Sequence, residues 1–391
     1  MRRVGVATFA RSDYSSCLPV LRAIEADPDL EYHLLVAGMH LAPEFGSTVK
    51  EIEAGGFAIA DRLEMLLASD RPEGVAKSIG LGTILFAQSF ARCRPDILLI
   101  FGDRLELLAV ASAALPLCIP IAHVSGGEVT EGAIDNQVRH AITKMSHLHF
   151  VAMDAYAERL IQMGEDPWRV FVTGDPALDA ICEMDCLSRP ELAADLGIDL
   201  IPPVLVITLH PTTLGATSPA HEVSALLGAL QYVRGTFIFT YPNADPGYRV
   251  IIERTREFTE RRPQAILHLN LGQRVYYSLL AQADLMVGNS SSGIWEAPSF
   301  RIPVVDIGDR QKGRIRAHNV VNIQADSEAI YSAIQRTLEP GFRSSLSVLQ
   351  NPYGDGHAAG RITQVLRQIP LDRKLLAKSF YHRSEMSHST T

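Results

Sequence analysis

The sequence has no apolar run long enough to cross a bilayer. It also has no excess of positive charge: 36 Lys and Arg stand against 44 Asp and Glu, a net charge of −8, so it carries no electrostatic footprint for nucleic acid. Its five cysteines, Cys17, Cys93, Cys118, Cys182 and Cys186, are odd in number and scattered, which argues against a disulfide framework. Most sit in apolar settings, where cysteine behaves as a small hydrophobe. Cys182 and Cys186 have helical spacing, yet no further Cys or His joins them, which argues against a zinc site. The strand-like Val4 to Phe9 behind Met1-Arg2-Arg3 is too short and too lightly flanked for a signal peptide, so a reducing cytoplasm is the expected location. Several catalytic signatures are missing as well. There is no Walker loop and no nucleophile elbow, and Gly80-Leu81-Gly82-Thr83 lacks the preceding strand and third glycine of a dinucleotide fingerprint.

What is present is an ordinary globular composition, 47% hydrophobic and 20% charged over 391 residues, enough for two domains with substantial cores. Apolar runs alternate with amphipathic segments in the rhythm of βα units. The first half predicts strands at 3–9, 31–37, 97–101, 118–124, 147–152 and 169–173, with helices over 18–26 and 136–144 among the segments between them. Residues 175–203 are poorer in pattern and read as an interdomain linker. A new strand at 204–209 opens a second half with further strands near 236–241, 264–269, 284–288 and 303–307. Two doubly wound α/β domains facing across a cleft follow. No internal repeat or low-complexity tract is visible, and the polar stretch 382–391 has the composition of a disordered tail.

Function should sit at the carboxyl ends of the strands, where open parallel sheets bind ligands. Ile97 to Ile100 runs into Phe101-Gly102-Asp103-Arg104, and Ile119 to Val124 runs into Ser125-Gly126-Gly127-Glu128, so neighbouring strands offer Asp103 and Glu128 to one crevice. The alternative for Asp103 is a plain cap for a helix beginning near Leu105. In the second half, Gly288-Asn289-Ser290-Ser291-Ser292-Gly293 joins a strand to a helix, and small hydroxyl residues there leave backbone N–H groups free for a diphosphate. Thr208-Leu209-His210-Pro211-Thr212-Thr213 is another strand end, whose His210 can donate to phosphate or act as an acid. Gly308 to Arg316 gathers four cations after the strand ending at Ile307.

Taken together, Arg11-Ser12-Asp13-Tyr14-Ser15, Gly102-Asp103-Arg104, Gly126-Gly127-Glu128-Val129, Ile134 to Lys144, Gly288-Asn289-Ser290-Ser291 and Gly308 to Arg314 resemble the hydrolysing UDP-N-acetylglucosamine 2-epimerases. The resemblance runs from about Arg3 to Arg361 in the expected order. It implies a GT-B fold, with a sugar-binding domain over 1–175, a nucleotide-binding domain over 176–365 and a terminal segment over 366–391. It also implies chemistry without metal or nicotinamide, a nucleotide-sugar substrate, and a homodimer or homotetramer. By the family pattern Asp103 and Asp135 are the expected proton-handling carboxylates, with Glu128 a further candidate and the division between base and acid left open, while His210 would hold the diphosphate or serve as a catalytic acid. Asp135 opens the helix through Arg139 and His140, so an N-cap is its alternative role. Arg11, Arg104, Arg139, Asn243, Ser290, Ser291, Ser292, Arg310 and Gly313 would surround the substrate and its diphosphate, Glu296 would accept from ribose hydroxyls, and Tyr353 to Gly356 would border the nucleotide. Ser125 and Asn136 stand where better-known members carry acids. Val129-Thr130-Glu131-Gly132 is similar to members serving legionaminic-acid-type pathways, where the sugar is a 2,4-diacetamido-trideoxy hexose or the nucleotide is GDP. A GT-B glycosyltransferase would share the diphosphate cradle but would need no carboxylate pair. A non-catalytic nucleotide-sugar binder would have lost its chemistry at Ser125 and Asn136.

Overall fold

The structure is a computed structural model and describes residues 1–382 apart from 68, 70, 132, 133, 183, 213–216 and 244. Thr213, Gly132 and the expected tail at 383–391 lie outside the described residues. In chain order the strands are β1 Arg2–Thr8, β2 Leu30–Ala37, β3 Ile59–Leu63, β4 Ile97–Phe101, β5 Ile121–Val124, β6 Leu148–Val151 and β7 Val170–Val172. They continue with β8 Val204–Thr208, β9 Thr236–Thr240, β10 Ala265–His268, β11 Leu285–Gly288, β12 Val304–Ile307 and β13 Val320–Ile323. The first seven form one sheet in the order β3-β2-β1-β4-β5-β6-β7, the other six a second in the order β10-β9-β8-β11-β12-β13. Every pairing is parallel. The central strands β4 and β8 are continuously apolar and wholly buried, as a sheet covered on both faces requires.

In each sheet the winding reverses once, between β1 and β4 and between β8 and β11. At such a reversal the helices leave on opposite faces and open a crevice at the strand ends. Thr8, Phe101, Thr208 and Gly288 therefore close the strands from which any cleft must be built. Gly288 has φ +134, and a Cβ on it would lie 1.9 Å from the Thr208 carbonyl oxygen, so only glycine lets β11 approach β8 at this point.

Three readings of the sequence need correction. The edge strands β3 and β13 were not expected; both are partly exposed, so their apolar pattern is interrupted. The first helix spans Arg11–Glu25 rather than starting near Leu18, because Pro19, which reads as a first-turn proline, sits inside it. Residues 175–203 are not a bare linker: Ala177–Cys182 and Arg189–Leu196 are helices, and Leu192, Leu196 and Leu200 belong to the second sheet's core.

The expected boundary at 365/366 does not coincide with a change of core. The helix Ala358–Gln368 crosses back, and its Ala359, Ile362 and Leu366, with Leu375 beyond it, pack among Val4, Leu21, Leu34 and Leu99 of the first sheet. The two chain crossings are tied together, since the Asp175 amide donates to the Tyr353 carbonyl at 2.8 Å. The Asp179 carboxylate also accepts from the amides of Ala358 and Ala359 at 2.9 and 2.6 Å, which caps the returning helix. Among the described residues no helix is long and apolar enough to cross a membrane. Gly288→Ala is expected to cost about 3 kcal/mol or more, through overpacking against a backbone atom that has nowhere to move. Urea denaturation against wild type measures it.

Candidate active site

After β4, Gly102 takes φ +79 and turns the chain so that Asp103 faces the cleft. The helix that follows, Glu106–Ala114, has no side-chain cap, so capping is not what Asp103 does. Its carboxylate is instead held by the Arg139 guanidinium, itself 1% exposed, which also donates to the Glu128 carbonyl at 3.1 Å and the Thr130 hydroxyl at 3.0 Å. Burial would raise the Asp103 pKa, but Arg139, Arg314 and Arg310 outweigh it and hold it below the ordinary carboxylate value. Beyond β5, Ser125 adopts φ +67, a strained conformation for a residue with a side chain. Gly127 must be glycine, because a Cβ there would lie 2.6 Å from the Tyr156 carbonyl oxygen. This tight turn buries Glu128 completely, with both carboxylate oxygens lacking a hydrogen bond and the nearest cation, Arg314 Nε, at 3.5 Å. Burial pushes the Glu128 pKa up, against the pull of Arg314 and Arg139.

Asp135 is the first residue of the helix Asp135–Met145, whose N-cap, Ile134, makes no side-chain capping bond, so Asp135 too is free of that structural task. Burial, then the neighbouring charges of Asp103 and Asp245, push its pKa up to about 7. The cleft thus sets an ionised carboxylate beside one poised near neutrality, and a separation of this kind marks acid and base roles.

The second domain supplies the opposite wall. Asn289 joins its two central strand ends by accepting from the His210 amide at 2.7 Å and donating to the His210 carbonyl at 2.9 Å. Its own carbonyl accepts from Arg310 at 3.2 Å and Gln311 at 2.8 Å. His210 Nδ1 accepts from the Asn243 amide at 2.9 Å, which leaves the ring proton on Nε2. Burial, then Arg310, Arg11 and Arg104, drive the His210 pKa far down, so it is a neutral hydrogen-bond donor rather than a general acid. The Ser290 hydroxyl accepts from the Ser292 amide at 3.3 Å, and the Ser292 hydroxyl accepts from Tyr276 at 2.7 Å. Ser291, at the start of the short helix Ser292–Trp295, makes no capping bond and faces the cleft.

A cavity of about 140 Å³ lies between the two sheets. It brings together Asp103, Arg104, Asp135, Asn243, Ser291 and Arg310, from both domains. Other expected residues stand back from it. Arg11 lines a smaller cleft that shares Met39 and donates to Asn270 of the second domain at 2.6 Å. Arg139 is buried and holds the Asp103 carboxylate. Glu296 is buried and accepts from the Tyr277 hydroxyl at 2.7 Å, and Gly313 packs on Val129 of the first domain. Tyr353, expected near the nucleotide, is buried between Tyr156 and Trp295, and Asp355 pairs with Arg361 at 2.7 Å.

Several lining residues had escaped notice: Asp245, Trp295 and the apolar Met39, Met65, Leu66, Val75 and Ile79; Arg314, one of the four cations expected near the cleft, lines it too. Asp245 follows β9 and was open to the same strand-end argument that found Asp103. The apolar group carries no chemical signature that a sequence displays. No group of His, Cys, Asp and Glu among the described residues is placed to hold a metal ion.

Carboxylates at one switch point facing an anion-binding edge at the other define an enzyme of the GT-B class that acts on nucleotide sugars. Residues 22–367 match the family model described as UDP-N-acetylglucosamine 2-epimerase. The chain belongs to that family. It is 40% identical over 323 residues to the Campylobacter jejuni GDP/UDP-N,N'-diacetylbacillosamine 2-epimerase (hydrolyzing), covering 82% of this chain and 84% of the relative. It is 35% identical to the Legionella pneumophila UDP-N,N'-diacetylbacillosamine 2-epimerase (hydrolyzing), over 97% of this chain and 99% of that one. The crystal structure of UDP-GlcNAc 2-epimerase from Neisseria meningitidis bound to UDP-GlcNAc shares the fold, with a TM-score of 0.79 at 17% identity over 94% of this chain and 99% of that one.

A carboxyl group whose folded pKa is raised above its unfolded value stabilises the fold below the unfolded value and loses that contribution as pH rises through the folded one. Asp135→Asn is therefore expected to match wild type near pH 4 and to be the more stable protein above pH 7, with the gap opening between those values. Thermal melts of both proteins across that range check it.

Proposed function

We propose that the chain is a hydrolysing 2-epimerase whose substrate is a UDP-linked 2,4-diacetamido-2,4,6-trideoxyhexose, the sugar class named in its two relatives at 35% and 40% identity. The observation that carries the reaction type is the meeting of Asp103 and Asp135 with Ser291 and Arg310 in one cavity. The C2 hydrogen of a 2-acetamido sugar is weakly acidic, so its removal must accompany departure of the diphosphate from C1. Asp135, with a pKa near the operating pH, is the base best matched to that proton. Arg310, Ser291 and the Nε2–H of His210 take up the charge that develops on the leaving diphosphate. Breaking the C1–O bond leaves a 2-acetamidoglucal and the nucleoside diphosphate. Water, held by the ionised Asp103, then adds its oxygen to C1 and gives up a proton to that carboxylate, and a proton returns to C2 from the face opposite Asp135. Glu128, whose pKa burial raises, is the donor we assign. The products are the free sugar inverted at C2 and UDP.

The sugar class is supported by the wall beyond the carboxylates. Met39, Met65, Leu66, Val75 and Ile79 line it. The one hydroxyl that the helix Pro72–Cys93 adds to it, that of Ser78, is already committed to the Gly74 carbonyl and the Leu67 amide, both at 3.0 Å, while Ser12 and Ser16 line the cavity from the first helix. Such a wall accepts a C6 methyl and an acetamido methyl, whereas free 4- and 6-hydroxyls buried there would lose about 1–3 kcal/mol each of unreplaced hydration. The description of the family keeps UDP-N-acetylglucosamine as the second substrate to test.

Proton NMR in D₂O with each UDP-linked sugar provides the test. Free 2-epimerised sugar carrying deuterium at C2, with an equivalent of UDP, is expected fastest from the diacetamido substrate. A product still attached to UDP, or sugar released with hydrogen retained at C2, would sink the mechanism. Asp103→Asn is expected to lower kcat by about 100-fold or more while UDP affinity, measured by calorimetry, stays within about threefold of wild type. Ile79→Asn should move the ratio of kcat/KM towards UDP-N-acetylglucosamine by about tenfold, measured by competition between the two sugars.

A further inference from the structure

The loop after β12 has one part in each half of the site. Arg310 and Gln311 donate to the Asn289 carbonyl beside the Ser290-Ser291 edge. From the next residue on, the same loop docks on the first domain. The Glu131 amide donates to the Lys312 carbonyl at 2.9 Å, Lys312 pairs with Glu131 at 3.2 Å, and a Cβ on Gly313 would lie 2.5 Å from Val129 Cγ1. Arg314 follows and crosses the cleft. It is buried, its guanidinium lies 4.4 Å from the centre of the Trp295 ring, and it approaches Glu128 at 3.5 Å and Asp103 at 3.9 Å. None of these approaches is a hydrogen bond: Arg314 Nε and Nη1 and both Glu128 oxygens are buried with no partner. Unpaired buried ionic groups are costly and mark a place built for a tighter arrangement.

We propose that Arg314 is a positioning residue that makes the charge state of the first-domain carboxylates depend on the nucleotide bound by the second domain. A diphosphate held at Arg310 and Ser291 seats the loop, and the seated loop brings Arg314 into contact with Glu128 and Asp103. Release of UDP loosens it and resets the carboxylates for the next substrate. The inference rests on the reaction proposed above for its kinetic readout but not for its binding readout.

Arg314 does not act on these carboxylates alone. Around Glu128 stand Arg139 and Arg159 as cations, Asp103 and Asp175 as anions, and the phenols of Tyr156 and Tyr353. Around Asp103 stand Arg139, Arg310, Asp135, Asp245 and His123. All of these except Arg310 and Asp245, which belong to the second domain, are carried by the first domain or by its crossing segments. Arg314 is the cation placed against both carboxylates from across the cleft. Loss of its positive charge raises both carboxyl pKa values; the acidic limb, set by Asp135, stays in place, and the basic limb, set by Glu128, moves to higher pH.

Arg314→Met and Arg314→Lys are compared with wild type in two measurements, with thermal melting to show that each variant folds. For Arg314→Met, kcat is expected to fall by about 10- to 100-fold, with KM within a few fold and the basic limb of the pH profile displaced upward; Arg314→Lys should restore part of the displacement. Calorimetry of UDP binding near pH 7, in buffers of different ionisation enthalpy, should give near-wild-type affinity but fewer protons released by Arg314→Met. An unshifted profile with unchanged proton release overturns the proposal, as does a fall in UDP affinity that matches the fall in kcat, which would make Arg314 a nucleotide ligand. Wild type inactive on both sugars would overturn the reaction, while the calorimetric comparison would still decide the role of Arg314.

Discussion

The site depends on balancing buried charge. Four acids, Asp103, Glu128, Asp135 and Asp245, meet Arg104, Arg139, Arg310 and Arg314 in a cleft where unpaired ions are expensive. Arg139 is the fixed member of this set, since it is enclosed by the first domain and reaches Asp103 and the backbone around Glu128 together. The remaining acids have pKa values raised by burial, that of Asp135 to about 7. Arg104 is held in a similar way by Glu106 at 2.9 Å. The result is a graded series of carboxyl acidities, set by burial on one side and the nearby guanidinium groups on the other.

The apolar wall of the cavity shows how packing far from the chemistry shapes the space offered to a substrate. The helix Pro72–Cys93 lies across the helix Glu106–Ala114, and Gly82 is the point of contact. A Cβ there would meet Met65 Cε at 2.5 Å and the Ala109 Cβ at 3.0 Å. Gly80-Leu81-Gly82 resembles half a dinucleotide motif, yet its second glycine serves close helix packing and lets Met65 lie flat beneath the cavity.

Much of this was legible from the sequence because parallel α/β sheets place ligands at strand ends, and strand ends are visible where an apolar run stops at glycine. Asp103 and His210 were found that way, as was the Ser290-Ser291 turn. The edge strands β3 and β13 were missed because half-exposed strands lose their continuous apolar pattern. The buried position of Arg139 was illegible for another reason. Nothing local distinguishes an arginine facing a substrate from one enclosed under a carboxylate, because the difference lies in contacts to residues 9 to 36 positions away. Arg314 and Gly313 pose the same problem on a larger scale, since their partners belong to the other domain.

The return of the helix Ala358–Gln368 has a consequence for how the molecule is made. Synthesis proceeds from the amino terminus, and domains tend to fold as they emerge. Here the first sheet is complete by Val172, but the core over Val4, Leu21 and Leu34 is completed only when Ile362, Leu366 and Leu375 join it. All of the second sheet's strands have been synthesised by Ile323. The domain that is translated first is therefore the one whose core closes last, and it must keep that part of its core shielded while nearly the whole of its partner is produced.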